Sequence, residues 1–167
     1  MSVGMTGSRS GAQTAPEYEI KAAVLYKFAS FVSWPADRDN APFCIGVMGK
    51  DPFGPFLDQG AQGRTINGRE VHVQRFQSVS EADHCQILFV SASEGRRLRE
   101  ILGQLRGKPI LTVGDMAGFC ESGGIINLKV TDSGLRLEIN VDAGERTGLQ
   151  FSYKLLRLAK IVQGSQQ

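Results

Sequence analysis

A chain of 167 residues is long enough to bury one sizeable core without metals or many cross-links. A composition of 41% hydrophobic and 22% charged residues is ordinary for a globular domain, and a formal net charge of +2 argues against nucleic acid or an anionic membrane as partner. No apolar run approaches the ~20 residues that a membrane-spanning helix needs, so direct membrane insertion is not expected.

Residues 1–15 are polar, rich in Gly, Ser and Thr, and lack the apolar central segment of a signal peptide. They read as a disordered leader and residues 164–167 as a disordered tail, which leaves one domain over residues 16–163. From Glu17 to Trp34 the sequence predicts an amphipathic helix. Ile20, Val24, Phe28 and Phe31 recur at helical spacing, and Ala23 and Val32 widen the stripe. Pro35 biases Trp34 away from helical geometry and ends the element. Tyr26 and Trp34 fall partly off this stripe. With Phe31 they are the candidate partner contacts, because partly exposed aromatics join a large apolar area to a polar handle. Packing in the core or at its rim is the competing reading.

Phe43 to Met48 and Ile87 to Val90 are short and apolar on both faces, as buried parallel strands are. Between them, Gly49 to Leu57 reads as a turn and a short helical segment broken by Pro52 and Pro55. The segment is no phosphate loop, since Pro55 and Phe56 stand where Lys and Ser or Thr would have to be. Asn67-Gly68 signals a hairpin, followed by alternation through Val71, Val73 and Arg75. Ser80 with Asp83 is the expected cap of a short turn before Cys85. Ser93 to Leu105 predicts a helix that buries Leu98, Ile101, Leu102 and Leu105. Its cations Arg96, Arg97 and Arg99, with Arg106 and Lys108 beyond, read as a solvated face diluted by Glu94 and Glu100. Gly107 stops that helix, and Pro109 to Val113 returns as a strand.

Gly114 to Gly118 lie at a strand's carboxyl end, where open α/β sheets hold ligands. A small-molecule crevice and ordinary turns fit these glycines equally. Ile125 to Val130 and Leu135 to Ile139 flank a Thr131–Gly134 turn as an antiparallel pair with one wet face. Arg136 and Arg146 are expected to pair locally with Glu138 and Glu145. Asp142 begins a long predicted helix with Leu149, Leu155, Leu156, Ala159 and Val162 inward. The sum is an α/β, single-domain mixed sheet, with parallel strands first and a C-terminal antiparallel hairpin last, sandwiched by helices.

Three cysteines leave at least one unpaired within a molecule. If the strands that follow Cys44 and Cys85 are neighbours, the two residues share one end of the sheet, at a Cα separation of roughly 5–6 Å within disulfide reach. Two buried free thiols fit the same residues. Cys120 lies in a Gly-rich turn between Gly118 and Gly123. His72 sits on an alternating strand, and His84 adjoins Cys85. No CxxC or HxxxH spacing gathers four ligands, so neither a metal site nor a cofactor is predicted. Neither histidine has a third group to orient it as a general base beside a nucleophile, and no paired carboxylates stand out, so catalysis is not expected.

The blocks EYEIKAAVLYKFASFVSWP, FCIGV, GFCESGGIINL and LEINVDAGERTGLQFSYKLLRLA follow one another between Pro16 and Val162. Together they resemble the YfiR-like family of periplasmic repressors of a membrane-bound diguanylate cyclase. The resemblance implies an exported, non-enzymatic regulator that binds the periplasmic domain of an inner-membrane diguanylate cyclase and represses cyclic-di-GMP synthesis. It further implies a homodimer and sequestration by an outer-membrane lipoprotein. An oxidising compartment favours the Cys44–Cys85 bridge and a redox-tuned activity. Some family members are expected to place a second bridge at the Gly-rich turn. Here Asn127 follows and no cysteine does, which leaves Cys120 unpaired or redox-sensitive. The rival reading is a periplasmic small-ligand sensor that uses the crevice beside Gly114–Gly118 and Gly123-Gly124.

Overall fold

A computed structural model describes residues 15–35 and 41–164. The expected leader lies outside the described residues except for Ala15, and the expected tail except for Gly164. In chain order the elements are α1 (Ala15–Phe31), β1 (Val32–Ser33), β2 (Phe43–Met48), α2 (Phe56–Ala61), β3 (Thr65–Ile66) and β4 (Arg69–Phe76). Then come β5 (Ile87–Val90), α3 (Leu98–Gln104), β6 (Leu111–Gly114), β7 (Ile126–Thr131) and β8 (Gly134–Ile139). The chain closes with α4 (Val141–Glu145), β9 (Gln150–Phe151), α5 (Tyr153–Leu158) and β10 (Ala159–Ile161).

Eight strands form one sheet in the order β10-β8-β7-β6-β5-β2-β4-β3. β4, β2, β5, β6 and β7 run parallel, β3 is antiparallel to β4 and β8 to β7, and β10 runs parallel to β8. The parallel strands stand second-first-third-fourth-fifth, the doubly wound order in which the chain changes direction between β2 and β5. Every residue of β2, β5 and β6 is buried, which is why these strands are unbroken apolar runs. One face is covered by α1 and α2 through Leu25, Phe28 and Leu57, the other by α3 through Leu98, Ile101 and Leu102.

The buried hydrophobic residues of α1 are Tyr18, Ala22, Leu25, Tyr26, Phe28 and Ala29. The predicted stripe is therefore rotated: Ile20 is 55% exposed and Ala23 also faces solvent. A polar anchor sets the rotation. Lys21, only 2% exposed, lies 2.5 Å from Glu17 Oε2 and 3.0 Å from Asp115 Oδ2. The Tyr18 hydroxyl donates to the same Asp115 oxygen at 2.5 Å. Burial, and then the Asp115 carboxylate, hold that phenol protonated well above its usual range. Phe28 and Val32 are buried as expected and Val24 and Phe31 pack against the core; hydrophobic periodicity cannot see a buried lysine, and it misplaces only Ile20 and Ala23.

The long helix predicted from Asp142 does not form. Gly144 has no Cβ where the Phe151 ring comes in, and Gly148 turns the chain at φ +90°. Phe151 then pairs with Val32 and Gln150 with Ser33, so β1 and β9 make a small second sheet. The Ser152 hydroxyl accepts from Lys154 N to start α5. The predicted helix over Ser93–Leu105 is also split, with a 3-10 segment over Ala92–Arg97 ahead of α3. Before Cys85 the capping pair is Ser78 with Glu81, in place of Ser80 with Asp83. Arg136 bonds to Ser133, and Glu138 accepts from Asn127 and Lys129, so the expected Arg136–Glu138 pair does not form among the described residues.

Removing one member of a buried ion pair leaves an uncompensated charge and costs about 3–5 kcal/mol. Lys21→Ala should lower unfolding stability in urea by that amount, and a loss below about 1 kcal/mol would contradict the role given to this anchor.

Candidate functional site

The amino ends of the central strands carry the densest chemistry. Parallel register pairs Ile45 with Ile87, which sets Cys44 beside the segment entering β5. The Cα atoms of Cys44 and Cys85 lie 4.5 Å apart and their sulfurs are joined in a disulfide. Gln86 ties the strands together around it: its backbone N donates to Cys44 O at 3.1 Å, and its Oε1 accepts from Cys44 N at 2.8 Å. Trp34 closes over this end, donating from Nε1 to Gln86 O at 2.9 Å and meeting Phe43 edge-on at 5.4 Å. Arg69 is buried behind Phe43 and donates to the carbonyls of Ala41 and Pro42. Together these groups line a cavity of about 450 Å³ whose wall includes Trp34, Cys44, Arg69, His72, His84 and Cys85.

Of the three candidate contact aromatics, the structure withdraws Tyr26. It is 5% exposed, its hydroxyl donates to the Leu57 carbonyl, and its ring rests on Gly60, where a Cβ would come within 2.5 Å. Its task is to join α1 to α2, and burial pushes its hydroxyl up to about 12. The absence of a side chain on Gly60 is what draws the ring in. Phe31 and Trp34 are half-buried, with Trp34 on the rim of the cavity.

Cys120 is unpaired and buried. Its thiol faces the carbonyls of Ile125 and Glu138, and burial, then the nearby charges of Glu138 and Glu121, push it up to about 12. A protonated, buried thiol reacts slowly. Asn127, in a stretch downstream that holds no cysteine, accepts from Met116 N and donates to Met116 O and Glu138 Oε1. The Asn127 carboxamide thus ties this turn to β7 and β8.

The crevice expected beside Gly114–Gly118 is filled from within. The Phe119 ring is fully buried between Gly114 and Gly124, where added Cβ atoms would lie 2.5 Å and 2.2 Å from it. The glycines make room for a side chain of the chain itself. At the switch point between β2 and β5, Ser93 and Glu94 crowd Gly49 and the Ser93 hydroxyl accepts from Lys50 N at 2.9 Å. A larger cavity, about 650 Å³, opens instead beside α3, lined in part by Arg99, Arg106, Lys108, Asn140, Asp142 and Arg146. The guanidinium groups of Arg99, Arg106 and Arg146 make no hydrogen bond or ion pair among the described residues. No local pattern marks Arg146 as joining the cationic face of α3, because only the fold brings the end of α4 to it.

Linear spacing also missed the cluster at the bridge. Among the described residues, Cys44, His84 and Cys85 form a group whose ligand atoms lie within 4.8 Å of one another. While the bridge is closed, the sulfurs are covalently committed and cannot serve as thiolate ligands.

A family model described as YfiR/HmsC-like matches residues 18–160. The fold is similar to a conserved domain protein from Vibrio cholerae O1 biovar El Tor, at TM-score 0.59 and 12% identity over 89% of this chain and 60% of that one. It is also similar to an ABC domain from Streptococcus pneumoniae solved in complex with L-Trp, at TM-score 0.52 and 10% identity over 72% of this chain and 55% of that one. The chain thus spans less than two thirds of either matched structure, and at these identities the likeness is one of fold. No helix among the described residues is long and apolar enough to cross a membrane.

The bridge closes a loop with a sequence separation of 41 residues. Chain entropy assigns a loop of that length about 4 kcal/mol, so Cys44→Ala/Cys85→Ala should lower the unfolding free energy by about that much. Equal stability of the variant and the oxidised wild type would show that the bridge holds nothing.

Proposed function

Because the chain belongs to the YfiR/HmsC-like family, we propose that it is an exported, non-catalytic regulator. It binds the periplasmic domain of an inner-membrane diguanylate cyclase and represses cyclic-di-GMP synthesis. The observation that carries this reading is the extent of the family match, residues 18–160, which runs from α1 to β10. A closed disulfide between central strands supports an oxidising compartment such as the periplasm. Homodimerisation and sequestration by an outer-membrane lipoprotein belong to the same proposal.

A repressor shifts its partner only by binding one state of it better than the other. The rim of the smaller cavity offers a suitable anchor in Trp34, half-buried at the bridged end, and Phe31, also half-buried, stands three residues before it in the chain. An aromatic held this way buries much area on contact and loses little side-chain freedom. Calorimetry with the oxidised protein and the purified periplasmic domain of the cyclase should show saturable binding. Trp34→Ala should weaken it at least tenfold, or about 1.4 kcal/mol. Absence of binding under oxidising conditions would remove the regulatory reading.

One observation favours a second reading, a small-ligand sensor. The 650 Å³ cavity presents several cations around one acid, Asp142, an arrangement suited to an anionic ligand. A saturable rise in melting temperature with an organic phosphate or carboxylate, lost in Arg146→Ala, would support it. No shift with either class would dismiss it.

A further inference from the structure

We propose that reduction of the Cys44–Cys85 bridge creates a site for a thiophilic cation, Zn(II) or Cu(I), built from both sulfurs and the His84 imidazole. The proposal stands apart from the regulatory reading, since it concerns the chemistry of three side chains whatever the chain binds.

The ligand atoms of Cys44, His84 and Cys85 already lie within 4.8 Å of one another. Zinc at about 2.3 Å from sulfur and about 2.0–2.1 Å from nitrogen holds neighbouring ligand atoms some 3.5–3.8 Å apart in a tetrahedral set. Once the covalent bond is broken, the sulfurs need separate only by rotation about their own side-chain bonds. The strands need not move, because their Cα atoms are 4.5 Å apart and Gln86 holds them through Cys44 N and O.

His84 is held from outside the cluster. Its Nε2 lies 2.9 Å from Gln74 Oε1, and its ring meets Phe76 edge-on at 5.9 Å. Donation from Nε2 to that amide oxygen leaves a lone pair on Nδ1 and fixes the ring, the service that outer hydrogen bonds perform at metal sites. The remaining coordination position faces the 450 Å³ cavity, whose wall all three residues share, so water or an exogenous ligand can complete the set. Two thiolates and one imidazole select Zn(II) or Cu(I) over hard cations such as magnesium or calcium. Cys120 is no part of the site, because its sulfur points to the Ile125 and Glu138 carbonyls.

The chemistry balances. A dithiol delivers two electrons and two protons, leaving as its own disulfide and converting the bridge to two thiols. The cation then displaces both thiol protons to solvent and binds the thiolates. Bound metal keeps the sulfurs from re-forming the bridge, so the reduced state persists while metal is present.

The test uses the full chain reduced under argon with a water-soluble phosphine, which takes the oxygen of water and leaves two thiols, then desalted. Titration with Co(II) should reach one equivalent. It should show thiolate-to-metal charge transfer in the near ultraviolet and the visible bands of a tetrahedral site, and zinc should displace the cobalt. The oxidised protein should show neither band. His84→Ala, at an exposed position, should weaken binding at least tenfold, and Cys120→Ser should leave it unchanged. Competition against a chromophoric Cu(I) chelator identifies which thiophilic cation is held more tightly. The proposal is overturned if reduced and oxidised protein bind cobalt alike, if His84→Ala binds as wild type, or if the signal disappears with Cys120. Should reduction unfold the chain, recovery of the native far-ultraviolet circular dichroism at one equivalent of metal supports the site, and binding without recovery refutes it.

Discussion

The sulfur–sulfur bond between the amino ends of β2 and β5 joins the two strands at which the doubly wound sheet changes direction. Other parts of that end are placed relative to it. Gln86 can satisfy Cys44 with both backbone and side chain only because the strands are held in register there. Trp34, which donates to Gln86, can sit at the rim as a fixed ring because Phe43 and Gln86 do not move away beneath it. The small sheet of β1 and β9 then fastens the residues just before Trp34 to the chain's last third. A covalent constraint is thereby converted into a preorganised surface.

The opposite end of the sheet is closed. Open α/β folds place ligands at the carboxyl ends of their strands, at the switch point. Here Phe119 plugs one part of that region and Ser93 with Glu94 another, while Lys21, Asp115, Tyr18 and Glu17 seal the end of β6 with buried charge. Both described cavities lie toward the amino ends and share Ile110 in their walls. The family provides a regulatory, non-catalytic context, and the geometry is consistent with it: the open surfaces are an aromatic rim and a cationic hollow.

Much of this was legible in the amino-acid order. Continuous apolar runs at Phe43–Met48 and Ile87–Val90 gave parallel strands because burial on both faces demands them. Asn67-Gly68 gave a tight hairpin, and Asn67 takes φ 54° there. The failures share a cause, which is that long-range contacts override local pattern. A buried lysine turned α1 away from its apparent stripe. What reads as one helix becomes a helix, a strand, another helix and a last strand, with the Phe151 ring received at Gly144. Tyr26 looked like a surface aromatic until Gly60 of α2 proved to lie against it. At the bridge, chain order puts Cys44 and Cys85 at one end of the sheet if their strands pair, but metal-ligand spacing along the chain does not reveal that His84 stands with them across strands.

The account rests on one claim: the bridged protein acts by occupying a surface of a membrane-bound cyclase. The most direct measurement is the initial rate of cyclic-di-GMP synthesis by the full-length cyclase in lipid vesicles, titrated with oxidised protein on its periplasmic side. The account predicts a saturable fall in rate that tracks occupancy of the periplasmic domain. An unchanged rate at full occupancy would contradict it.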